Sequence, residues 1–247
     1  MTGRSIPFMT AAWKRLAIVT FKVPDDVIAP YLVPGTEPDR WEGSALASVV
    51  AFEFEKMSVF GIPAFGFRSF PEWNLRFYVR CPSPDSGETE SIRRGVTFVT
   101  EFVPGRIVAG MARALYDEPY RAVPYSLDRH AVGTSQSMDH VVELGGRTHR
   151  FRFIAGGAPV VPPPDSLAHF LKEQEWGFGT TRGGRRGVYR VEHPRWGVHP
   201  ETRFDLDVDF GALYGERWSL LDHATPISKI VVEGSPIKVF TRTVEAP

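Results

Sequence analysis

The segment from Phe70 to Arg80 alternates polar and apolar side chains, and this pattern constrains the fold more than any other in the chain. The apolar set is Trp73, Leu75, Phe77 and Val79, and the polar set is Glu72, Asn74, Arg76, Tyr78 and Arg80. Alternation over this length, with aromatic and β-branched residues, predicts a half-buried β-strand.

The polar face of this strand is unusual for a face in contact with water. Glu72, Asn74 and Arg76 place an acid, an amide and a guanidinium in consecutive same-side positions, where Thr, Ser, Lys or Gln is more common. These three groups can satisfy one another's hydrogen bonds and can also bind a ligand. The pattern indicates a strand that lines a polar cavity, but it names no reaction.

Most of the remaining patterned segments also indicate strands. They are Leu16–Val23, Ala45–Met57, Gly95–Val103, Arg121–Leu127, Ser135–Leu144, His149–Ile154, Gly187–His193, Phe204–Asp209, Ile227–Glu233 and Ile237–Arg242. Helices are predicted over Pro24–Tyr31, Arg106–Leu115, Ser166–Glu175 and Phe210–Arg217, with Asp165 or Ser166 capping the third. Many closely spaced strands and few helices favour a mainly β fold, either a single antiparallel β-barrel or a sandwich. We expect one domain over residues 1–247.

Two segments rich in turn-forming residues interrupt these elements. Pro82–Glu90 is the most polar stretch and predicts an exposed hairpin loop. Ala155–Asp165 contains two glycines and three consecutive prolines, and we expect it to carry the chain across one side of the fold.

Composition excludes several function classes. Lys+Arg and Asp+Glu both total 29, so the chain lacks the positive surplus of a general nucleic-acid or anionic-membrane binder. The single cysteine, Cys81, excludes an intrachain disulfide and a multi-cysteine metal site. No apolar run reaches the length of a membrane span and no signal peptide is evident, so we expect a soluble cytoplasmic protein. The oligomeric state stays open, a homo-oligomer included.

Two short motifs suggest chemistry and also have simpler interpretations. Gly177–Gly184 resembles a phosphate-binding loop but lacks its spacing, so we interpret Arg182–Gly187 as a basic hairpin turn. Glu192–Trp196 places an acid, His193, a guanidinium and an indole within five residues. His193 is a candidate site residue, although a strand end with an ordered turn is the simpler interpretation. The histidine spacings fit no familiar metal signature, and no cofactor is expected.

Several motifs together resemble the YqjF-like family of domains of unknown function, family 2071. Phe70–Val79 is similar to its signature Phe-Pro-Glu-x-Asn-x-Arg-x-Tyr-Val. Further similar segments are Trp13–Leu16 with Val23-Pro24, Arg94–Phe98, Ala112–Tyr116 with Pro119-Tyr120, Glu192–Trp196, Leu213–Gly215 with Trp218, and Glu233–Ser235. Trp73 departs from the family's commoner valine, and Thr20-Phe21 stands where many members have a histidine.

This family is similar to acetoacetate decarboxylase, which implies a large, partly open antiparallel barrel around a polar cavity. In the decarboxylase a lysine forms a Schiff base with a β-keto acid, helped by a second lysine. Gly105-Arg106 and Gly110 match the spacing of that motif, which puts Arg113 and Ala114 at the lysine positions. A guanidinium keeps its proton and is a poor imine former, so Schiff-base decarboxylation is disfavoured.

The resemblance and the strand pattern together give three interpretations. In the first, a cofactor-independent lyase, hydratase or tautomerase acts on a small carboxylate or keto acid. Its catalytic residues are Glu72 and Arg113, and its substrate-binding residues are Asn74, Arg76, Tyr120 and His193. In the second, the barrel binds a small molecule without turning it over, and Glu72 pairs with Arg76. In the third, that polar interior is purely structural. The barrel predicts that Glu72, Arg76 and Arg113 converge.

Overall fold

The computed structural model describes residues 6–83 and 91–245. Its strands are β1 Met9–Val23, β2 Glu37–Pro38, β3 Ala45–Val59, β4 Ile62–Pro63, β5 Phe70–Pro82, β6 Ile92–Val103, β7 Tyr120–Ala122, β8 Tyr125–Val132, β9 Ser135–Leu144, β10 Arg147–Gly156, β11 Trp176–Thr180, β12 Arg186–Glu192, β13 Glu201–Asp207, β14 Ser228–Val239 and β15 Thr243–Glu245. The helices are α1 Asp25–Ile28, α2 Arg106–Tyr116, α3 Leu167–Lys172 and α4 Phe210–Tyr214, with 3₁₀ turns at Ala29–Tyr31 and Glu216–Asp222.

The main sheet closes on itself. Its strands follow the order β5, β3, β1, β14, β12, β11 and β6, and the β5–β6 hairpin joins the two ends into a ring. This confirms the predicted mainly β fold with a barrel-like sheet and few short helices. One difference is that β6 pairs in parallel with β11 and β7, so the sheet is mixed.

A second sheet covers one side of the ring. It is antiparallel, in the order β13, β10, β9 and β8. Trp73, Leu75 and Phe77 on β5 point outward from the ring and are fully buried; Trp73 makes an edge contact with Phe151 of the second sheet at 5.7 Å between ring centroids. Burying such large side chains is a major stabilising contribution, typically about 1.5–3 kcal/mol each.

Strand β5 is buried on both faces, whereas the sequence predicted a half-buried strand. Its polar face looks into the ring, and Glu72 and Asn74 are each 1% exposed. The alternation was interpreted correctly as two chemically different faces. The prediction that the polar face lines a cavity agrees with the structure, and this lining is why both faces of the strand are buried and not only one.

Most predicted elements are present, with shifted bounds. Strand β9 has the predicted bounds, and Ser166 caps α3 by accepting a hydrogen bond from His169 N. The predicted strand Arg121–Leu127 divides into β7 and β8 around Pro124, which cannot donate to a ladder. The two strands predicted around Gly234 are one strand, β14. Gly234 has φ +84°, and a Cβ there would lie 2.0 Å from the Trp13 carbonyl oxygen, so only glycine fits this crossing.

The predicted loop Ala155–Asp165 begins within β10, which ends at Gly156, and runs to the residues before α3, with Val160 in an isolated bridge to Val198. Pro82 pairs with Ile92 across the β5–β6 hairpin, while residues 84–90 of the predicted loop lie outside the described residues. The turn predicted at Arg182–Gly187 connects β11 to β12. Among the described residues, no helix has the length and apolar character to cross a membrane.

Candidate functional site

The ring encloses a cavity of about 150 Å³ with two chemically distinct parts. Aromatic and aliphatic side chains form one part, including Phe52, Phe54, Phe70 and Trp196. The other part is polar, and its members are Glu72, Asn74, Arg76, Glu101, Glu118, Tyr120, Lys172, Gln174 and Tyr189. A cavity of this size accepts a ligand of roughly six or more non-hydrogen atoms.

Strand register assembles the polar part. Glu72 and Asn74 share one face of β5 because they are two residues apart. Asn74 pairs directly with Glu101 on β6, and Glu101 pairs in turn with Tyr120 on β7. Glu118 lies two residues before Tyr120 and lines the same cavity. Strands β5, β6 and β7, together with Glu118 just before β7, thus bring three carboxyl groups and a phenol together.

A β-bulge in β6 turns Glu101 into this cavity. Phe98 pairs with Arg76 and Thr100 pairs with Leu75, so Val99 is the extra residue. Before the bulge the cavity-lining positions are Val96 and Phe98, and after it the lining position is Glu101. Strict alternation would instead give Thr100. Bulges re-aim side chains in this way because they shift the two-residue period by one.

Glu72 is held at the centre of the polar part. Asn74 Nδ2 donates to its Oε1 at 2.9 Å, and Tyr120 Oη donates to its Oε2 at 2.9 Å. Burial raises the pKa of Glu72, and the hydrogen bonds from Asn74 and Tyr120 oppose that increase. The same hydrogen bonds fix the direction in which each Glu72 oxygen points.

The other two glutamates favour their protonated forms. Burial, together with the nearby charges of Glu72 and Glu118, raises the pKa of Glu101 well above its ordinary value. Glu101 and Glu72 are close enough for their charges to interact, so protonation of one carboxyl favours ionisation of the other. Burial raises the pKa of Glu118 to about 8 against the opposing hydrogen bond from Tyr189. The cavity therefore holds both an acid and a base near neutral pH.

Gly177 makes room for the tyrosine that contacts Glu118. A Cβ on Gly177 would lie 2.1 Å from the Cζ atom of Tyr189, far inside van der Waals contact. Gly177 and Tyr189 pair directly across the β11–β12 hairpin. The missing side chain thus allows the Tyr189 ring to lie over β11 and reach Glu118. The glycines of this hairpin serve packing here, and we find no phosphate-binding geometry in them.

Two cationic side chains complete the lining. Arg76 Nη2 donates to the Leu171 carbonyl oxygen at 3.2 Å, and its guanidinium lies over the Tyr78 ring. The side chain of Lys172, at the end of α3, is fully buried and forms an ion pair with Glu173. Glu72 makes no salt bridge with Arg76 in the part of the chain that the structure describes, so the pair expected for a non-catalytic binding barrel is not formed.

The structure brings together four of the six predicted site residues. Glu72, Asn74, Arg76 and Tyr120 all line the cavity. Arg113 does not, which corrects the expectation that it converges with Glu72 and Arg76. Its side chain lies exposed on α2, with Nε donating to the carbonyl oxygen of Ala109 one turn earlier. The motif spacing located a helix correctly but gave no information on which way residue 113 faces.

His193 lies behind the cavity wall. Trp196 Nε1 donates to its Nδ1, and its ring packs edge-on against Trp196 at 4.4 Å and near Trp13 at 6.2 Å. Trp13 and Trp196 line the cavity, whereas His193 faces an outer groove with Glu173. Burial lowers the pKa of His193 and favours the neutral ring. This geometry agrees with the simpler interpretation of His193, a residue at a strand end in an ordered turn.

Sequence reasoning missed Glu101, Glu118, Lys172 and Tyr189. Glu118 stands two residues before Tyr120, and that spacing was a usable signal once Tyr120 was chosen. Glu101 could not be found by alternation because of the bulge. Among the described residues, no group of three or more His, Cys, Asp or Glu side chains has metal-binding geometry.

The chain resembles known proteins in sequence and in fold. The sequence model of a family described as an uncharacterized conserved protein matches residues 10–236, and no curated protein sequence matches. Acetoacetate decarboxylase from Legionella pneumophila is similar in structure, with TM-score 0.62, 12% identity, and coverage of 98% of this chain and 88% of that one.

Two further solved structures share this fold. An acetoacetate decarboxylase-like enzyme from Sphingomonas wittichii RW1 has TM-score 0.63 and 13% identity, covering 98% of this chain and 94% of that chain. The enduracididine biosynthesis enzyme MppR, complexed with pyruvate, has TM-score 0.60 and 12% identity. The match covers 98% of this chain and 92% of that chain. At these identities the similarity establishes the fold alone.

Proposed function

The chain belongs to the DUF2071 family and has the acetoacetate decarboxylase-like fold, and on this basis we propose that its cavity binds a small organic acid and moves a proton on it. The family is the one that the sequence resemblance predicted. The reaction class is cofactor-independent lyase, hydratase or tautomerase chemistry. The observation that carries the proposal is the pair of buried carboxyls, Glu72 and Glu101, in a cavity that also contains two cations.

The chemistry follows from the protonation states of the pair. Two close carboxyls cannot both ionise easily, so one holds a proton while the other is free to accept one. Glu101 has the more strongly raised pKa and is the acid, while Glu72, stabilised as an anion by Asn74 and Tyr120, is the base. A proton can then leave one atom of the substrate as another arrives.

Substrate binding is assigned to the cations and the apolar wall. Arg76 and Lys172 provide N–H donors for a carboxylate, and the aromatic part of the cavity accepts a short hydrocarbon chain. The solved pyruvate complex of MppR supports this assignment by analogy of fold. Schiff-base chemistry is not part of the proposal, since Arg113 lies outside the cavity and Lys172 forms an ion pair with Glu173.

The proposal is tested in two steps. A thermal-shift screen of 2-oxo, 2-hydroxy and unsaturated acids should find one that raises Tm, and Arg76→Ala should remove the increase. At a ligand concentration 100 times Kd we expect an increase of about 5–10 °C for a chain of this size. NMR in D₂O then measures exchange of the carbon-bound protons of that acid.

Glu72→Gln is the decisive variant. It should still bind the acid, but the exchange of the acid's protons should be slower by about 100-fold or more, because the base is lost. The exposed Glu143→Gln is the matched control and should behave like the wild type. If wild type and Glu72→Gln both leave the exchange rate at that of the acid alone in buffer, only a non-catalytic binding cavity remains. If both accelerate it equally, Glu72 is not the base. Absence of any stabilising acid would refute the proposal, and a borohydride-trapped imine would contradict the assigned chemistry.

A further inference from the structure

We infer that the organic acid bound in this cavity also carries a protonated nitrogen, which Asn74, Glu101 and Glu118 receive. The inference rests on the proposed function, because it concerns the ligand of the same cavity. It narrows the substrate class from small organic acids in general to small amino acids. The inference is drawn from buried hydrogen-bonding atoms in the cavity that have no partner in the folded chain.

Three buried acceptors at the polar end lack hydrogen-bond partners within residues 6–83 and 91–245. They are Asn74 Oδ1, Glu101 Oε1 and Glu118 Oε1. Their side chains belong to residues that are 1%, 2% and 4% exposed, and all three residues line the cavity. A buried acceptor without a partner costs about 1–3 kcal/mol. A ligand that donates hydrogen bonds would recover this free energy.

The balance of donors and acceptors favours a ligand with N–H groups. A fourth acceptor that lines the cavity, Gln174 Oε1, also lacks a hydrogen-bond partner. The buried lining donors without a partner are Arg76 Nε and Trp13 Nε1. A simple keto acid offers only acceptors. It could accept from the protonated carboxyls of Glu101 and Glu118, but it would leave the amide oxygens of Asn74 and Gln174 unpaired. An ammonium group offers three donors, and the carboxylate of the same molecule can use Arg76 and Lys172.

The charges in the cavity favour the same ligand. Three carboxyls face two cations, and one of those cations, Lys172, is already paired with Glu173. An anion alone would bring a further negative charge close to Glu72 and would oppose ionisation of Glu101 and Glu118. A ligand with both charges can direct its carboxylate to the cations and its ammonium to the carboxyls.

Binding of an ammonium should release a proton. Glu118 faces Tyr189 on β12 and lies within electrostatic range of Glu72, Asp117 and Arg242, and its pKa is raised to about 8 by burial. At neutral pH it holds a proton, which leaves to solvent when the ammonium arrives and stabilises the carboxylate. Affinity for an amino acid should therefore increase as pH rises toward 8. A ligand that is only an anion should show the reverse, because it prefers the protonated carboxyls.

The experiment compares pairs of acids that differ only in the nitrogen. Isothermal titration calorimetry uses alanine with pyruvate, 2-aminobutyrate with 2-oxobutyrate, and leucine with 4-methyl-2-oxopentanoate, at pH 6.5 and 8.5. We expect one amino acid to bind at least about tenfold more tightly than its oxo partner at pH 8.5. Titrations at pH 7 in two buffers of different ionisation enthalpy should show release of about one proton.

Variants locate the nitrogen site. Glu118→Gln keeps the side-chain shape and should lose the preference for the amino acid by about tenfold or more, while Glu143→Gln should retain it. Because the wild-type pH dependence and proton release need no variant, the test survives if Glu118→Gln fails to fold. An oxo acid that binds as tightly as its amino partner, with affinity falling as pH rises, would overturn the inference and leave the proposed function standing.

Two other outcomes separate the inference from the proposed function. Propylamine, which lacks a carboxylate, probes the nitrogen site alone. If it binds while every acid fails, the nitrogen site is supported and the organic-acid function is refuted. If no acid, amino acid or amine binds at millimolar concentration, both are overturned.

Discussion

At the scale of single residues, the absence of one side chain organises part of the cavity. Gly177 leaves the space in which the Tyr189 ring lies, and Tyr189 hydrogen-bonds to Glu118. The hairpin glycines were interpreted from sequence as turn residues, which is correct for Arg182–Gly187. Position 177 needs glycine for a different reason, since its neighbour across the hairpin occupies the place of a Cβ.

Gly177→Ala tests this packing. The new methyl group must displace the Tyr189 ring, and we expect a loss of about 1–3 kcal/mol in the free energy of unfolding. Urea denaturation measures the change. Gly183→Ala is the control, because the nearest atom outside its chain neighbours lies 3.9 Å from the new Cβ, and it should change stability by less than about 0.5 kcal/mol. Equal losses of stability in the two variants would show that the hairpin tolerates no alanine at either glycine, and that the Tyr189 contact is not the cause.

At the scale of elements, one buried carboxylate joins both sheets. Glu53 on β3 accepts from Arg15 Nε of β1 at 2.6 Å and from Arg129 of β8 in the second sheet. Burial opposes ionisation of Glu53, but hydrogen bonds from Arg129 and Arg15 outweigh it and lower its pKa. Arg15 has φ +50° within a register shift of β1, so the bulge there directs the guanidinium toward Glu53.

Glu53→Gln should destabilise the chain by roughly 1–3 kcal/mol at neutral pH, because it leaves two arginines without their shared partner. Because the folded pKa of Glu53 is lowered, its contribution is fully present above the ordinary value of 4.5 and is lost as pH falls through the folded pKa. The difference between wild type and variant in urea denaturation should therefore shrink in acid. A difference that is constant from pH 7 to pH 3 would contradict this account.

Elements also show what the sequence could and could not predict. Periodicity located the strands and the buried set Glu72, Asn74 and Arg76, because alternation persists along β5. It failed for Glu101, since one extra residue in β6 exchanges the two faces. Lys172 was missed because its position depends on how α3 closes the end of the ring, which no local pattern records. Arg113 was predicted by motif spacing alone and faces away from the cavity.

At the scale of the whole molecule, burial keeps many titratable groups uncharged. Burial raises the pKa of Glu118 to about 8 and lowers the pKa of His140 to about 3. Above about pH 7.5, His140 is almost entirely neutral in both the folded and the unfolded chain and contributes little slope. Glu118 still holds a proton that the unfolded chain has lost, so the folded state binds more protons in this range.

The free energy of unfolding should therefore fall as pH rises from about 7.5 through about 8, where the histidines no longer titrate. Glu118→Gln should reduce the slope by up to about 1.4 kcal/mol per pH unit, because the amide resembles the protonated carboxyl and does not titrate. Urea denaturation at several pH values measures both slopes. Glu143→Gln should keep the wild-type slope, and an unchanged slope in Glu118→Gln would mean that Glu118 does not hold a proton in the folded state.

The bulge in β6 has an evolutionary consequence. Because Val99 is the residue without a partner, loss of its single codon would leave every strand in place, and the regular two-residue period from Phe98 would still point the carboxyl of Glu101 into the cavity. Relatives with the same fold can thus present the same carboxyl one residue earlier in the strand, with no substitution of a cavity residue. Alignments that forbid gaps in strands would pair the wrong residues at this position, so reaction class in such relatives should be compared by residue count along β6 as well as by residue identity.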